Sequence, residues 1–262
     1  MNIHPRYHTL RIALTQDGLP SGALLPFEKI RIAAKAAADC GVRRFELAGG
    51  EPLAREDLPV LLMMLSSVCV VEDMTLTTDG LLLPRWAKSI RGGGVQRVIV
   101  KLDTFDPGKY RRITGGGDFG AVLAGIRALM EVGFPPATLE VRLMRGVNDD
   151  ELPSLARLTQ MTGVSLRLME LTQAEAEAIR PGAQMTCEQA LSLIPGLVQE
   201  EESVFRLPGA QGTITLVPSA ARESGCLVLG ADGLLRPGGQ TADISAADED
   251  EIRSIIREVI SK

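Results

Sequence analysis

Aromatic rings are scarce in this chain of 262 residues, only 3% of positions, and the net charge is −5. A nucleic-acid groove wants stacking rings and basic stripes, so that class of partner is excluded. No apolar run approaches the ~18 residues of a membrane span. The first residues show neither a basic-then-apolar leader nor an Arg- and Ser-rich transit pattern, so a cytoplasmic location is expected. Cysteine is sparse too. Cys40, Cys69, Cys187 and Cys226 are scattered, a spacing that suits neither a zinc knuckle nor a disulfide framework. Cys40 ends a helical pattern and Cys69 sits in Val68-Cys-Val-Val71, so both are expected as small buried hydrophobes. Convergence of the four thiols on one metal stays open, against the usual clustering of ligands in sequence. His4 and His8 fall in an N-terminal segment expected to be mobile and solvated.

What is present is a regular alternation. The chain is long enough for one large domain, or one domain with an appendage. Strand patterns at 10–15, 43–48, 73–78, 96–102, 138–144 and 164–171 alternate with helical patterns at 27–40, 56–67, 82–91, 107–133 and 150–162. Within the fourth helical stretch Pro107 starts a short helix and Asp118 caps a longer one. Short connections imply a parallel sheet, and right-handed crossovers curl it. The fold class is therefore α/β, a partial (β/α)6 TIM-like barrel over residues 1–172. After Glu170 the pattern changes to a small α+β appendage, 173–262. It holds two helical pieces broken at Pro181-Gly182, hairpins at 203–217 and 226–236, and a closing amphipathic helix.

Six short stretches come in order along this frame. They are Leu10-Arg-Ile-Ala-Leu-Thr15, Leu47-Ala-Gly-Gly-Glu-Pro-Leu-Ala-Arg55, Leu76-Thr-Thr-Asp-Gly80, Lys101-Leu-Asp-Thr-Phe-Asp-Pro107, Arg111-Arg-Ile-Thr-Gly115 and Met144-Arg-Gly-Val-Asn-Asp-Asp-Glu151. Two adjacent glycines let backbone approach a ligand closely, and proline stiffens the exit. The same residues also suit a plain tight turn. With the hairpin Phe205-Arg-Leu-Pro-Gly-Ala-Gln-Gly-Thr-Ile214, the order and spacing resemble the molybdenum-cofactor biosynthesis protein A family, the GTP 3′,8-cyclases of the radical SAM superfamily.

The resemblance implies a radical-SAM-type barrel in which Gly49, Gly50, Glu51 and Pro52 receive the methionyl ammonium of S-adenosylmethionine. Thr77 and Thr78 also match cofactor-binding positions, although Asp79 follows where the family has asparagine. Other positions depart. The family's Cys-x3-Cys-x2-Cys after the first strand has no counterpart in residues 16–26, Gln-Asp-Gly-Leu-Pro-Ser-Gly-Ala-Leu-Leu-Pro. The cysteines of its second cluster align with Ala221, Ser224 and Gly238. A serine of the fourth strand is Lys101, the lysine that meets the cofactor carboxylate is Thr138, and a methionine near the adenine is Thr172. Arg11, Arg44 and Arg167 align with basic residues of the nucleotide site, but Glu46 and Ala48 replace an arginine and a threonine there. A carboxylate facing a triphosphate is repulsive by ~4 kcal/mol per unit pair at 4 Å and an effective dielectric near 20. From these departures the expectation is no resident cofactor, no [4Fe–4S] cluster, and at most weak binding of S-adenosylmethionine.

Residues i and i+2 of a strand share a face. If the inward face implied by the resemblance is retained, Arg11, Glu46, Lys101, Asp103, Glu140, Arg142 and Arg167 are expected at the barrel mouth as a polar network, since buried ions persist when partnered. The bland reading is a disused cavity filled by paired charges. The sharper one is a remodelled pocket in which Lys101, in an apolar strand, acts as nucleophile or base. Gly92-Gly-Gly94 and Gly115-Gly-Gly-Asp118 lack the Gly-Lys-Ser/Thr of a phosphate loop, and Asp149, Asp150 and Glu151 read as a solvated helix start. The expected function is a degenerate cyclase relative, a pseudoenzyme that binds a small molecule or a protein partner in molybdenum-cofactor or radical-SAM chemistry. Whether it is an enzyme stays open. The alternatives are non-radical chemistry at Lys101, or a radical enzyme whose cluster a partner completes.

Overall fold

The computed structural model describes residues 7–16, 23–68, 71–236 and 241–261. His4, Cys69, Gly238 and positions 17–22 of the cysteine-free segment lie outside them.

The first strand shows why each unit folds as it does. In β1 (Thr9–Thr15) buried and half-buried residues alternate, so Leu10, Ile12 and Leu14 share the core face while Arg11 and Thr15 share the other. Helix α1 (Phe27–Asp39) follows, burying Ile30, Ala33, Ala34 and Ala37; small alanines let it lie close to its neighbours. Gly41, with φ +99°, takes the left-handed turn that ends it. The same alternation continues through β2 (Arg44–Gly49), α2 (Leu58–Ser66), β3 (Asp73–Thr78), α3 (Leu83–Gly92) and β4 (Arg97–Lys101). After them come α4 (Pro107–Thr114), α5 (Phe119–Glu131), β5 (Thr138–Leu143), α6 (Leu152–Met161) and β6 (Ser165–Glu170). Asp106 and Asp118 accept backbone N–H bonds at the starts of α4 and α5, satisfying donors that a helix cannot pair internally.

Beyond residue 172, α7 (Gln173–Ile179) and α8 (Cys187–Leu193) each open with a reciprocal capping box, Thr172 with Glu175 and Thr186 with Gln189. Then come β7 (Val198–Glu201), β8 (Val204–Arg206), β9 (Ile214–Val217), β10 (Cys226–Leu229), β11 (Leu234–Arg236), β12 (Ala242–Asp243) and α9 (Glu249–Ser261).

The chain forms two compact units. One comprises Met1–Thr78, Arg85–Val98 and Glu223–Lys262; the other Asp79–Pro84 and Ile99–Arg222. In the first, the strand order is β12-β11-β10-β1-β2-β3, with β10, β1, β2 and β3 parallel and β11 and β12 antiparallel. Helix α9 packs on α1 through buried Ile252, Ile256 and Ile260. In the second, the order is β4-β5-β6-β9-β8-β7, the first four parallel and the last two antiparallel. The β8–β9 hairpin matches the expectation from residues 203–217, and β9 also extends the parallel sheet beside β6.

Candidate functional site

The C-terminal end of β2 carries the Gly-Gly-Glu-Pro loop, and the end of β1 holds it. Gly49 has φ +113°, and a Cβ there would sit 2.4 Å from the Thr15 carbonyl oxygen. Only glycine tolerates both the dihedral and the approach. The Gly50 N–H donates to that same oxygen at 3.0 Å, and the Glu51 N–H donates to Thr15 Oγ1 at 2.8 Å. The Glu51 carboxylate accepts the Leu53 N–H at 2.9 Å and the Thr78 hydroxyl at 2.8 and 2.9 Å. Pro52 then opens a single 3-10 turn, Pro52–Ala54. Arg55 donates to the carbonyls of Leu14 and Leu25 and lies 4.0 Å above the Phe27 ring; burial lowers its pKa.

Beside the loop, Arg11 and Glu46 are register partners on β1 and β2. Arg11 Nε and Nη2 both lie 3.0 Å from Glu46 Oε2, and Thr77 donates to Oε1 at 3.2 Å. The pair is mostly sequestered, with side chains 20% and 13% exposed. The positive charge of Arg11 is thus met within the protein.

In the second unit Lys101, Glu140 and Arg167 form one cross-strand row, with Arg167 3.6 Å from Glu140. One step along, Arg142 makes a forked contact with Asp103, its Nη2 2.6 Å from Oδ2. Burial opposes the Arg142 charge, but Asp103, with Glu140 and Glu175, outweighs it and raises its pKa. Thr138 sits half-buried on β5, and Thr172 is engaged in capping α7.

Other expectations are corrected. Arg44 is exposed at the start of β2, the opposite end of the strand from the loop. His8 is not in a loose segment: its N–H bonds the Gly225 carbonyl and its own carbonyl takes the Arg44 N–H. Its side chain is exposed. Cys40 is half-buried rather than buried. Glu151 is not a solvated helix start. Its side chain is 17% exposed and accepts from the Thr104 hydroxyl, the Phe105 N–H and Lys109, which tie the β4–α4 connection to the residues before α6.

Two contributors were missed. Thr15 closes a quoted stretch, but as the last residue of a strand it gave no sign of its partners. Asn148 lay inside a quoted stretch, and a polar amide four residues before an apolar helix was its faint sign. It is wholly buried, donates to the carbonyls of Asp103 and Arg142 at 2.7 and 2.8 Å, and accepts the Met144 N–H at 3.0 Å.

Comparison with known proteins gives this geometry its context. A model of the radical SAM superfamily matches residues 12–159. The GTP 3′,8-cyclase of Pelotomaculum thermopropionicum is 34% identical over 268 residues, covering 93% of this chain and 82% of the relative. That of Heliobacterium modesticaldum is 33% identical, covering 88% and 80%. Among solved structures, Streptococcus suis SuiB bound to S-adenosylmethionine superposes with a TM-score of 0.64 at 14% identity, over 93% of this chain and 65% of that one. Native anSMEcpe with bound AdoMet gives 0.61 at 12% identity, over 97% and 82%. These likenesses show the fold, the α/β partial TIM-like barrel of the radical SAM type.

The expectation of no resident cofactor, no cluster and at most weak S-adenosylmethionine binding is thereby overturned, because the matched superfamily is the one defined by S-adenosylmethionine and an iron–sulfur cluster. For S-adenosylmethionine the residues fit: a glycine cradle without room for a Cβ, and a positioned carboxylate for an ammonium. Of the described thiols, Cys40 follows the end of α1, Cys187 opens α8 and Cys226 opens β10. Among the described residues no three His, Cys, Asp or Glu side chains gather for a metal ion, and no helix there is long and apolar enough to cross a membrane. On the matched domain and the cyclases it parallels over most of their length, the chain belongs to the radical SAM superfamily and, within it, to the GTP 3′,8-cyclase family.

Proposed function

We propose that this chain is a small-molecule-binding member of the cyclase family that takes S-adenosylmethionine at the Gly49–Pro52 loop and does not receive a nucleoside triphosphate in the cyclases' manner. The observation that carries the reading is the Glu51 carboxylate, held by Thr78 and Leu53 beside a glycine that admits no side chain. An ammonium meets a carboxylate there through a charge-assisted hydrogen bond. S-adenosylmethionine, when bound, brings an activated sulfonium with three carbon substituents. On the nucleotide side Glu46 already neutralises Arg11, so a polyphosphate would meet a satisfied pair in place of an open cation.

Calorimetry tests this directly. S-adenosylmethionine should bind one per chain, and Glu51→Gln should weaken it by about ten- to a hundredfold, the worth of one charge-assisted bond. GTP should give no saturable heat. Saturable GTP binding without S-adenosylmethionine binding would reverse the assignment.

A further inference from the structure

We infer that Thr78 is a positioning residue for ammonium recognition, acting through Glu51 rather than on the ligand itself. The inference rests on the function proposed above and adds a residue role to it. Thr78 closes β3 and is wholly buried. Its hydroxyl lies 2.8 Å from Glu51 Oε1 and 2.9 Å from Oε2, straddling the carboxylate. With the Leu53 N–H on Oε1 and the Glu51 N–H anchored on Thr15 Oγ1, backbone and side chain of Glu51 are fastened by different elements. The neighbouring threonine has a different engagement, since the Thr77 hydroxyl goes to Glu46. The two adjacent threonines therefore serve two different carboxylates.

The physical consequence is preorganisation. A free glutamate side chain loses rotamer freedom when it captures a ligand, and a carboxylate already held loses little. A valine at 78 keeps the shape and removes the hydroxyl. Glu51 would then sample other rotamers, and only ligands that use its charge would notice. Serine at 78 keeps the hydroxyl and so should keep the effect.

The test is calorimetry on the full chain with two ligands, S-adenosylmethionine and 5′-methylthioadenosine, which lacks the methionyl ammonium. Thr78→Val should weaken S-adenosylmethionine by about tenfold, in line with loss of a hydrogen bond to a charged group. It should leave 5′-methylthioadenosine unchanged, and Thr78→Ser should bind both ligands like wild type. In a Glu51→Gln background Thr78→Val should add nothing, because the group it positions has lost its charge. Equal weakening of both ligands by Thr78→Val would make Thr78 merely structural and overturn the inference. So would wild-type affinity of Thr78→Val for S-adenosylmethionine. A wild-type chain that takes up 5′-methylthioadenosine but not S-adenosylmethionine would overturn the proposed function as well, a result distinct from the other two.

Discussion

Arg11 and Glu46 face each other across adjacent parallel strands, mostly out of solvent. Removing one partner of such a pair leaves an uncompensated charge. Arg11→Met should therefore cost on the order of 3 kcal/mol in urea unfolding, whereas Arg11→Met with Glu46→Leu should cost far less; additive losses would show that the pair is not coupled. Cys187 offers a second test. Burial first, then Glu170 nearby, pushes its thiol up from 9.0 to about 12. A raised acid pKa in the folded state means its contribution to stability is whole below pH 9 and fades as pH climbs toward 12. The fall in unfolding free energy between pH 8 and 10.5 should accordingly be shallower in Cys187→Ala than in wild type, and Cys187 should resist iodoacetamide at pH 8. Sequence singled out Glu51 and its glycines through the resemblance, and the backbone at Gly49 does require glycine. It could not show Thr15 or Asn148, whose partners lie 36 and up to 45 positions away. Nor could it show that Glu151 is turned inward.

At the level of elements, the caps and close approaches set the connections. Asp118 Oδ1 accepts the Gly120 and Ala121 N–H groups at 2.8 and 3.2 Å, so Asp118→Ala should lower stability by about 1 kcal/mol. Gly125 reverses the ordinary rule. Alanine normally favours a helix interior over glycine by up to ~1 kcal/mol. Here a Cβ would lie 2.2 Å from the Gly80 carbonyl oxygen, and Gly125→Ala should destabilise by about 2 kcal/mol through overpacking. A more stable Gly125→Ala, by thermal melting, would show that the turn at Gly80 yields easily. Helix and strand positions were legible because their apolar periods are unbroken. The short strand β7, all exposed, was not, because Val198-Gln-Glu-Glu201 carries no alternation and owes its pairing entirely to β8.

On the scale of the molecule, each unit repeats one plan: a parallel quartet whose fourth strand comes late in the chain, then two antiparallel strands. In the first unit Lys29 Nζ donates to the carbonyls of Ser245 and Ala247 at 2.6 and 2.9 Å, tethering the entry to α9 on α1. Deleting 249–262 strips away three buried isoleucines. The loss should approach 5 kcal/mol on an area basis, with a lower melting temperature and new binding of an apolar dye. An unchanged melting curve would show that α9 adds nothing to the core. The closing amphipathic helix was legible as a pattern, but its seat on α1 and the late pairing of β10 and β9 were not, since partners distant in the chain leave no shared period.

The pairing of β1 with β10 also has a history in time. Thr9 and its register partner Cys226 are about 200 residues apart, so at ~5–20 residues per second β1 emerges from the ribosome roughly 10–40 s before that neighbour exists. Throughout that interval one edge of the nascent sheet is open, and an open edge is a template for pairing with another chain. The rate of elongation across the second unit, and not the stability of the finished fold, therefore sets how long each new molecule is exposed to aggregation.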